Sequence, residues 1–162
     1  MTPSLRQFTV QYIDRSASNI TIDQLIPMVD GSTNCRQYIS WKCYAAPMNS
    51  YSSTMTVTSL IYWKNRYYET MGYWGDTTTT DYVVRANSGM TCSCGEKKSC
   101  GRVDLKCACD FNDAVWRNDS GYLTQSIHLP VTTYCVTDTG ASTVRLRLNG
   151  MALRVCELLK TA

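Results

Sequence analysis

The feature that most constrains this chain is its content of nine cysteines in 162 residues, five of them between positions 92 and 109. This density is unusual in a reducing compartment and typical of secreted domains, in which disulfides limit the entropy of the unfolded chain. We therefore expect a secreted chain, or the ectodomain of a cell-surface protein. The cysteines expected to form disulfides are Cys35, Cys43, Cys92, Cys94, Cys100, Cys107, Cys109 and Cys156. Because nine is odd, one thiol remains, and we predict that Cys135, in an apolar segment, is a free thiol in the core.

The spacing of the cysteines limits how they can pair. Cys35 and Cys43 would lie about 12 Å apart in a helix and about 26 Å apart in a strand, whereas a disulfide needs alpha carbons within about 7 Å. Each must therefore pair elsewhere. The Cys92/Cys94 and Cys107/Cys109 motifs would place four sulfurs on one side if the two segments were extended neighbours. Zinc is the alternative, although its ligands are usually spaced Cys-x-x-Cys rather than Cys-x-Cys.

Composition favours one folded domain over residues 1–162. Hydrophobic residues make up 44% of the chain, and we find no apolar run long enough to cross a bilayer. The net charge of +3 is not clustered, so we expect neither nucleic acid nor a membrane surface as partner. Residues 1–6 lack the apolar stretch of a secretory leader, and we therefore expect a fragment of a larger secreted or membrane-anchored protein.

The residue pattern predicts an α+β fold, mainly a twisted antiparallel sheet with long cross-linked loops and one short helix. Apolar residues at helical spacing predict the helix from Thr21, its cap, to residues 30–32, and Pro27 inside it should keep it short or kinked. Alternation or β-branched and aromatic enrichment predicts strands in the remaining segments, with only short regular structure between residues 86 and 110. The predicted strand segments are 5–13, 35–44, 51–85, 129–137, 143–148 and 153–156.

Few side chains suggest a functional site. Asn19 and Asn118 stand in Asn-x-Ser/Thr glycosylation motifs, which agree with an extracellular location. We weighed calcium binding by Asp110, Asn112, Asp113 and Asp119 against their ordinary role as turn residues, and expect no cofactor. His128 is the only histidine and has no nucleophile beside it in the sequence, so no catalytic residues emerge and we expect no enzyme.

Aromatic residues are dense between positions 62 and 74. Such residues either pack within a sheet or form an exposed binding patch, because Tyr and Trp are favoured in protein interfaces. Packing within the sheet is the more common outcome for a cluster of this kind. The residues concerned are Tyr62, Trp63, Tyr67, Tyr68, Tyr73 and Trp74.

Several motifs resemble the fibrinogen-like domain of the contactin-associated (neurexin IV-like) adhesion proteins. They follow that family's Cys-Glu-Gln…Cys, Tyr-Trp-Gly, Cys-x-Cys-Gly…Cys…Cys-x-Cys-Asp, Trp-x-Asn-Asp-Thr-Gly-Phe-Leu and Leu-Arg-Cys segments in order. The matching residues are 35–43, 73–75, 92–110, 116–123 and 153–156, so the resemblance spans about residues 20 to 156. The cysteine-bearing segment that opens the family's domain and the calcium loop of fibrinogen domains are both missing, as are the sugar-contact residues of the lectin-like members.

The resemblance implies an adhesion or matrix-recognition module that binds an extracellular protein or glycan. A fainter similarity to the C-terminal propeptide of fibrillar collagens implies a bridge from Cys43 to Cys156, with three bridges among Cys35 and the five clustered cysteines. It also implies an alternative function as a trimerisation module. A calcium-dependent lectin is a further alternative. The contactin-associated pattern has no cysteine at the position of Cys135, in agreement with a free thiol there.

Overall fold

The structure, a computed structural model, describes residues 5–13, 18–53, 56–75 and 88–137. These residues form short strands, two α-helices and two 3-10 turns, which confirms the predicted α+β class. The 3-10 turns are Ala108–Phe111 and Ser126–His128. The other elements are, in order, β1 (Leu5–Thr9), β2 (Tyr12–Ile13), β3 (Asn19–Ile20), α1 (Ile22–Asp30), β4 (Gln37–Cys43), β5 (Asn49–Tyr51), β6 (Val57–Ser59), β7 (Ile61–Lys64), β8 (Thr70–Met71), β9 (Tyr73–Trp74), β10 (Thr91–Cys92), α2 (Ser93–Glu96), β11 (Arg117–Leu123) and β12 (Thr133–Thr137).

Helix α1 begins where the sequence predicted, because Thr21 and Gln24 form a reciprocal capping box. The Thr21 hydroxyl oxygen accepts from the backbone N–H of Gln24 at 3.3 Å, and the Gln24 side-chain oxygen accepts from the Thr21 N–H at 2.9 Å. Leu25 and Val29 are buried on the inner face of the helix. The helix contains Pro27 and ends after nine residues. It is therefore short, as Pro27 predicted. The four-residue α2 was not predicted.

A four-stranded antiparallel sheet has the strand order β1-β12-β7-β8. Strand β12, one of its two inner strands, is buried from Thr133 to Val136. The predicted strand over 129–137 is therefore confirmed in its second half, whereas the predicted strand over 5–13 is divided into β1 and β2. The ring of Trp63 on β7 lies 5.2 Å from that of Tyr73 on β9, edge to face, and the Trp63 indole donates to the Tyr73 carbonyl at 2.7 Å.

Strands β4 and β11 form a separate antiparallel ribbon with seven paired positions, from Arg117 opposite Cys43 to Leu123 opposite Gln37. Burial alternates along β4, so that Ile39 and Trp41 face the core. This period of two confirms the strand predicted over 35–44. The strands predicted over 143–148 and 153–156 lie outside the described residues. In the part of the chain that the structure describes, no helix is long and apolar enough to cross a bilayer.

Candidate binding surface and cross-linked loops

Three disulfides join the loops around β10, α2 and the 3-10 turn Ala108–Phe111 to each other and to β4. They are Cys43–Cys109, Cys92–Cys107 and Cys94–Cys100, with alpha carbons 5.9, 4.9 and 4.8 Å apart. The expected bridge from Cys43 to Cys156 is therefore wrong. Pairing of β11 with β4 brings the loop that precedes β11 beside the end of β4, where the Ala45 N–H donates to the Asp113 carbonyl at 3.0 Å. This pairing places Cys109 next to Cys43.

The three remaining cysteines are Cys35, Cys135 and Cys156. Cys35 is disulfide-bonded and buried. Cys156 lies outside the described residues. Cys135, on the inner strand β12, is a free thiol and is fully buried. Burial raises the pKa of the Cys135 thiol, which disfavours the reactive thiolate.

The condition under which four sulfurs would share one side, two extended neighbouring segments, is not met. Cys92 ends β10, but Cys94 lies in α2, so the two side chains do not share a strand face. Gly95 in α2 packs directly on the Lys106 carbonyl. A Cβ atom at this position would approach that oxygen to 2.0 Å, so only glycine fits there. The ligand atoms of Cys92, Cys107 and Asp119 lie within 4.8 Å of one another. The Cys92 and Cys107 sulfurs are bonded at 2.01 Å and are not thiolates that could hold zinc.

Asp110 organises the cross-linked loops from inside the protein. Its buried carboxylate accepts from the backbone N–H groups of Met48, Asn49 and Cys107 at 3.1, 2.9 and 3.0 Å. It also accepts from the Asn49 amide at 2.9 Å and the Tyr51 hydroxyl at 2.7 Å. Burial raises the pKa of Asp110, whereas these donors lower it. Five donors thus hold two segments of the chain, residues 48–51 and 107–110, together on one carboxylate.

Asp119 has a similar role on the inner face of the β4–β11 ribbon. Its two oxygens accept from the backbone N–H groups of Ala108 and Cys109, at 2.9 and 2.8 Å. Burial raises the pKa of Asp119 to about 6, although the two N–H donors lower it.

The remaining calcium candidates lie in other surroundings. Asp113 pairs with Arg117 at 2.6 Å, which holds the pKa of Asp113 below its usual value. Asn112 is exposed and adopts the left-handed conformation at φ 48°. The carboxylate oxygens of Asp110 and Asp119 already accept hydrogen bonds from protein donors. Asp110 and Asp119 thus hold loop backbone and Asp113 holds Arg117, which are contacts typical of turn and loop residues. The expectation of no cofactor stays a prediction.

A second feature is the turn of residues 65–69 between β7 and β8, here called the tyrosine turn. The buried Asn65 side chain accepts from the N–H groups of Tyr67 and Glu69 at 2.9 and 3.0 Å and donates to the Glu69 carboxylate at 2.7 Å. Tyr68 adopts a left-handed conformation, with φ 61°. This conformation is costly for a bulky side chain, and such outliers concentrate at functional positions.

Arg66 holds the tyrosine turn against neighbouring elements. Its side chain is only 4% exposed and pairs with Asp30 of α1 at 2.7 Å. It also donates to the carbonyls of Ser126, at 2.9 Å, and Leu129. The turn, the end of α1 and the 3-10 turn Ser126–His128 are therefore held together by one buried guanidinium, which anchors the exposed residues of these segments.

The aromatic cluster noted in the sequence divides into buried and exposed members. Trp63, Tyr73 and Trp74 are at most 1% exposed and belong to the core. Tyr67 and Tyr68 are 58% and 64% exposed, and Ile127 on the neighbouring 3-10 turn is 60% exposed. These three residues form the candidate binding surface. Sequence analysis did not identify Ile127, because a single apolar residue in a loop carries no local signal.

His128 has a structural position beneath this surface. Its ring nitrogen Nδ1 lies 3.3 Å from the Asn65 amide nitrogen, and its ring centroid lies 6.5 Å from that of Tyr73. Burial lowers the pKa of His128, which favours the neutral imidazole. His128 thus contacts Asn65, the residue whose side chain holds the tyrosine turn.

The two glycosylation motifs occupy different settings. Asn19 lies on β3 and is exposed, and its motif threonine, Thr21, caps α1. Asn118 is exposed on the outer face of β11. Its amide accepts from the Ser40 hydroxyl at 2.8 Å and donates to the Ser120 hydroxyl at 2.9 Å.

Comparison with curated proteins finds relatives over most of the chain. It is 31% identical over 126 residues to Contactin-associated protein 1 from Homo sapiens, which is 77% of this chain. The identity to the Mus musculus and Rattus norvegicus proteins of the same name is 31% and 30% over 125 residues, or 76% of this chain. The chain spans 8% of the length of each of these relatives. No family model matches the sequence, and no solved structure matches it. The chain is therefore related to one region of Contactin-associated protein 1.

Proposed function

We propose that this chain is an extracellular recognition module of a larger adhesion protein, without catalytic activity, that binds a protein or glycan partner. The similarity to Contactin-associated protein 1 over 77% of the chain carries this proposal. Three disulfides among the described residues support an extracellular location, since such cross-links persist in oxidising compartments. The finer assignment to a fibrinogen-like domain is part of the proposal.

The proposed contact region is the surface formed by Tyr67, Tyr68 and Ile127. Exposed tyrosines combine a large apolar area with a hydroxyl, and few rotamers are lost when they bind. Anchoring by Arg66 and Asn65 supports this choice, because a rigid surface loses little conformational entropy on association. By the name of its relatives, a contactin is the first protein partner to test.

The test compares binding of the wild type and of two variants to an immobilised contactin ectodomain and to a glycan array. The first variant carries both Tyr67→Ser and Tyr68→Gly. It should raise the Kd for the bound partner at least about tenfold, since central interface tyrosines contribute on the order of 2 kcal/mol to binding. Tyr68→Gly should not destabilise the protein, because glycine adopts a positive φ without strain. Loss of binding with unchanged stability would thus separate recognition from folding.

Tyr38→Ser is the matched control. Tyr38 is 41% exposed, but it lies on the outer face of the β4–β11 ribbon, against Tyr122. Its replacement should leave Kd unchanged. Equal weakening by both sets of variants would contradict the assignment of the surface. A wild-type chain that binds neither probe, and forms a stable trimer by light scattering, would instead support the assembly function.

A further inference from the structure

The outer face of the β4–β11 ribbon has two aromatic pairs at its ends and polar residues between them. Strand register sets Tyr38 opposite Tyr122, Ser40 opposite Ser120, and Lys42 opposite Asn118. The residues of β4 that alternate with these are buried, for example Trp41, and so is Asp119 on β11. The outer face is thus a continuous surface with the Asn118 glycosylation motif near its centre.

Trp116, immediately before β11, is the exposed aromatic residue closest to Asn118 along the strand. Its ring lies 5.5 Å from that of Tyr44, and the residue is 49% exposed. Trp116 and Asn118 are two positions apart, so they share a face of the strand, with alpha carbons about 7 Å apart. Tyr122 is about 13 Å away along the strand, by the same rise per residue, and its ring is already covered by the Arg36 guanidinium at 4.4 Å.

We propose that Asn118 carries an N-linked glycan whose first N-acetylglucosamine packs on the exposed ring of Trp116. The inference rests on the proposed extracellular location, because the attachment occurs in the secretory pathway. The sugar has a face of C–H groups with partial positive charge, which complements the negative face of an indole. The glycan then covers apolar surface of Trp116 that would otherwise contact water.

The covalent step is transfer of an oligosaccharide from a lipid-linked pyrophosphate donor. A bond forms between Asn118 Nδ2 and C1 of the first sugar, and the C1–O bond to pyrophosphate breaks. The lipid pyrophosphate leaves with the electron pair, and Nδ2 loses one proton. The amide oxygen is not consumed, so it still accepts from the Ser40 hydroxyl at 2.8 Å and holds the linkage in place.

The Asn19 motif provides an internal comparison. Asn19 is also exposed on a strand. The residue two positions before it is Ala17, which has no ring. A glycan at Asn19 should therefore gain no stacking contact from that position. Loss of this glycan controls for the general effect of a bulky, hydrated modification.

The experiment expresses the chain with a secretion leader in mammalian cells and trims each glycan to one N-acetylglucosamine with an endoglycosidase. Mass spectrometry measures occupancy, and thermal unfolding compares the wild type with Asn118→Gln, Ser120→Ala, Trp116→Ala and the double variants. Ser120→Ala prevents attachment but keeps Asn118 and its bond to Ser40. Loss of the Asn118 sugar should lower Tm by about 3 °C in the wild type and by much less in Trp116→Ala.

Two further readouts decide the outcome. The acetyl methyl proton signal of the Asn118 sugar should move upfield over the indole and return to its ordinary position in Trp116→Ala. Asn19→Gln should show no coupling to Trp116→Ala. An unoccupied Asn118, or an occupied one with neither thermal coupling nor an upfield signal, would overturn the inference. The proposed recognition function involves Tyr67, Tyr68 and Ile127, so it would survive that result.

Discussion

Two regions of the molecule keep their backbones in place by different means. The first consists of the loops of residues 88–116 together with the β4–β11 ribbon. The second is the four-stranded sheet of β1, β7, β8 and β12. The loops contain only short regular elements, and three disulfides and two buried carboxylates connect them. The sheet has extended strand pairing and a core of aromatic rings, and its one cysteine, Cys135, is unbridged. The comparison shows that covalent links concentrate in the loops of residues 88–116, where backbone pairing is sparse.

The physical reason is the entropy of the unfolded chain. A loop without regular structure gains few hydrogen bonds for each residue that it orders, so a cross-link has more effect there. A strand in the middle of a sheet is already ordered by pairing on both sides, as β12 is. We call the first part the cross-linked region and the second the sheet region. The predictions below test this division in order of expected effect.

Removal of the Cys43–Cys109 bridge by Cys43→Ser with Cys109→Ser should have the largest effect. Its partners are separated by 66 residues, against 6 residues for Cys94–Cys100. Chain-entropy arguments then predict losses in the free energy of unfolding of about 4 and about 2 kcal/mol for the two bridges. Urea denaturation of both double variants measures the difference. Equal losses, or a larger loss for the short loop, would show that loop length is not what sets the contribution.

The pH dependence of stability should identify Asp119 as a buried acid of the cross-linked region. Burial raises its pKa from 3.8 to about 6 in the folded protein, so between those values the folded state binds more protons than the unfolded state. Stability is therefore greatest below the unfolded pKa and decreases as pH rises through about 6, by up to about 3 kcal/mol from this residue.

Urea denaturation at pH values between about 4 and 7 checks this slope, with Asp119→Asn as the matched variant. The variant cannot ionise, so the Asp119 part of the slope should disappear. Asp110 remains in both proteins, and burial raises its pKa in the same direction. A wild-type protein whose stability, relative to the variant, increases over this range would mean that the Ala108 and Cys109 N–H donors outweigh burial.

Replacement of the free thiol should have a small effect. Cys135→Ala removes one buried sulfur atom from the sheet region and leaves a small cavity, for which we expect a loss of about 1 kcal/mol. Thermal and urea unfolding, together with a thiol count on the denatured protein, measure it. A loss as large as that of a bridge cysteine would mean that Cys135 takes part in a cross-link.

Removal of divalent cations should have the smallest effect. Protein donors already occupy the oxygens of Asp110 and Asp119, so excess EDTA should leave Tm unchanged to within about 1 °C. Addition of millimolar calcium should be equally neutral. A calcium-dependent increase in Tm that Asp113→Asn abolishes would restore the calcium site as a feature of this protein.

Local chemistry explains which elements could be predicted from the sequence. Helix α1 begins at Ile22, directly after its cap Thr21, because Thr21 and Gln24 form a capping box within four residues. Strand β4 was predictable because alternation along 35–44 reflects one buried face. Burial in the aromatic segment was less predictable: Trp63 and Tyr67 are similar in character, but only Trp63 lies on a core-facing strand.

The sequence by itself predicted a chain cross-linked by disulfides, the cap and short length of α1, and the alternating strands. These depend on composition or on neighbours within a few residues. Tertiary structure alone decided that Cys43 bonds Cys109 and that Arg66 anchors the tyrosine turn. Each of these contacts joins residues about 60 positions apart. They form only when long-range strand pairing has brought those segments together, which no local pattern specifies.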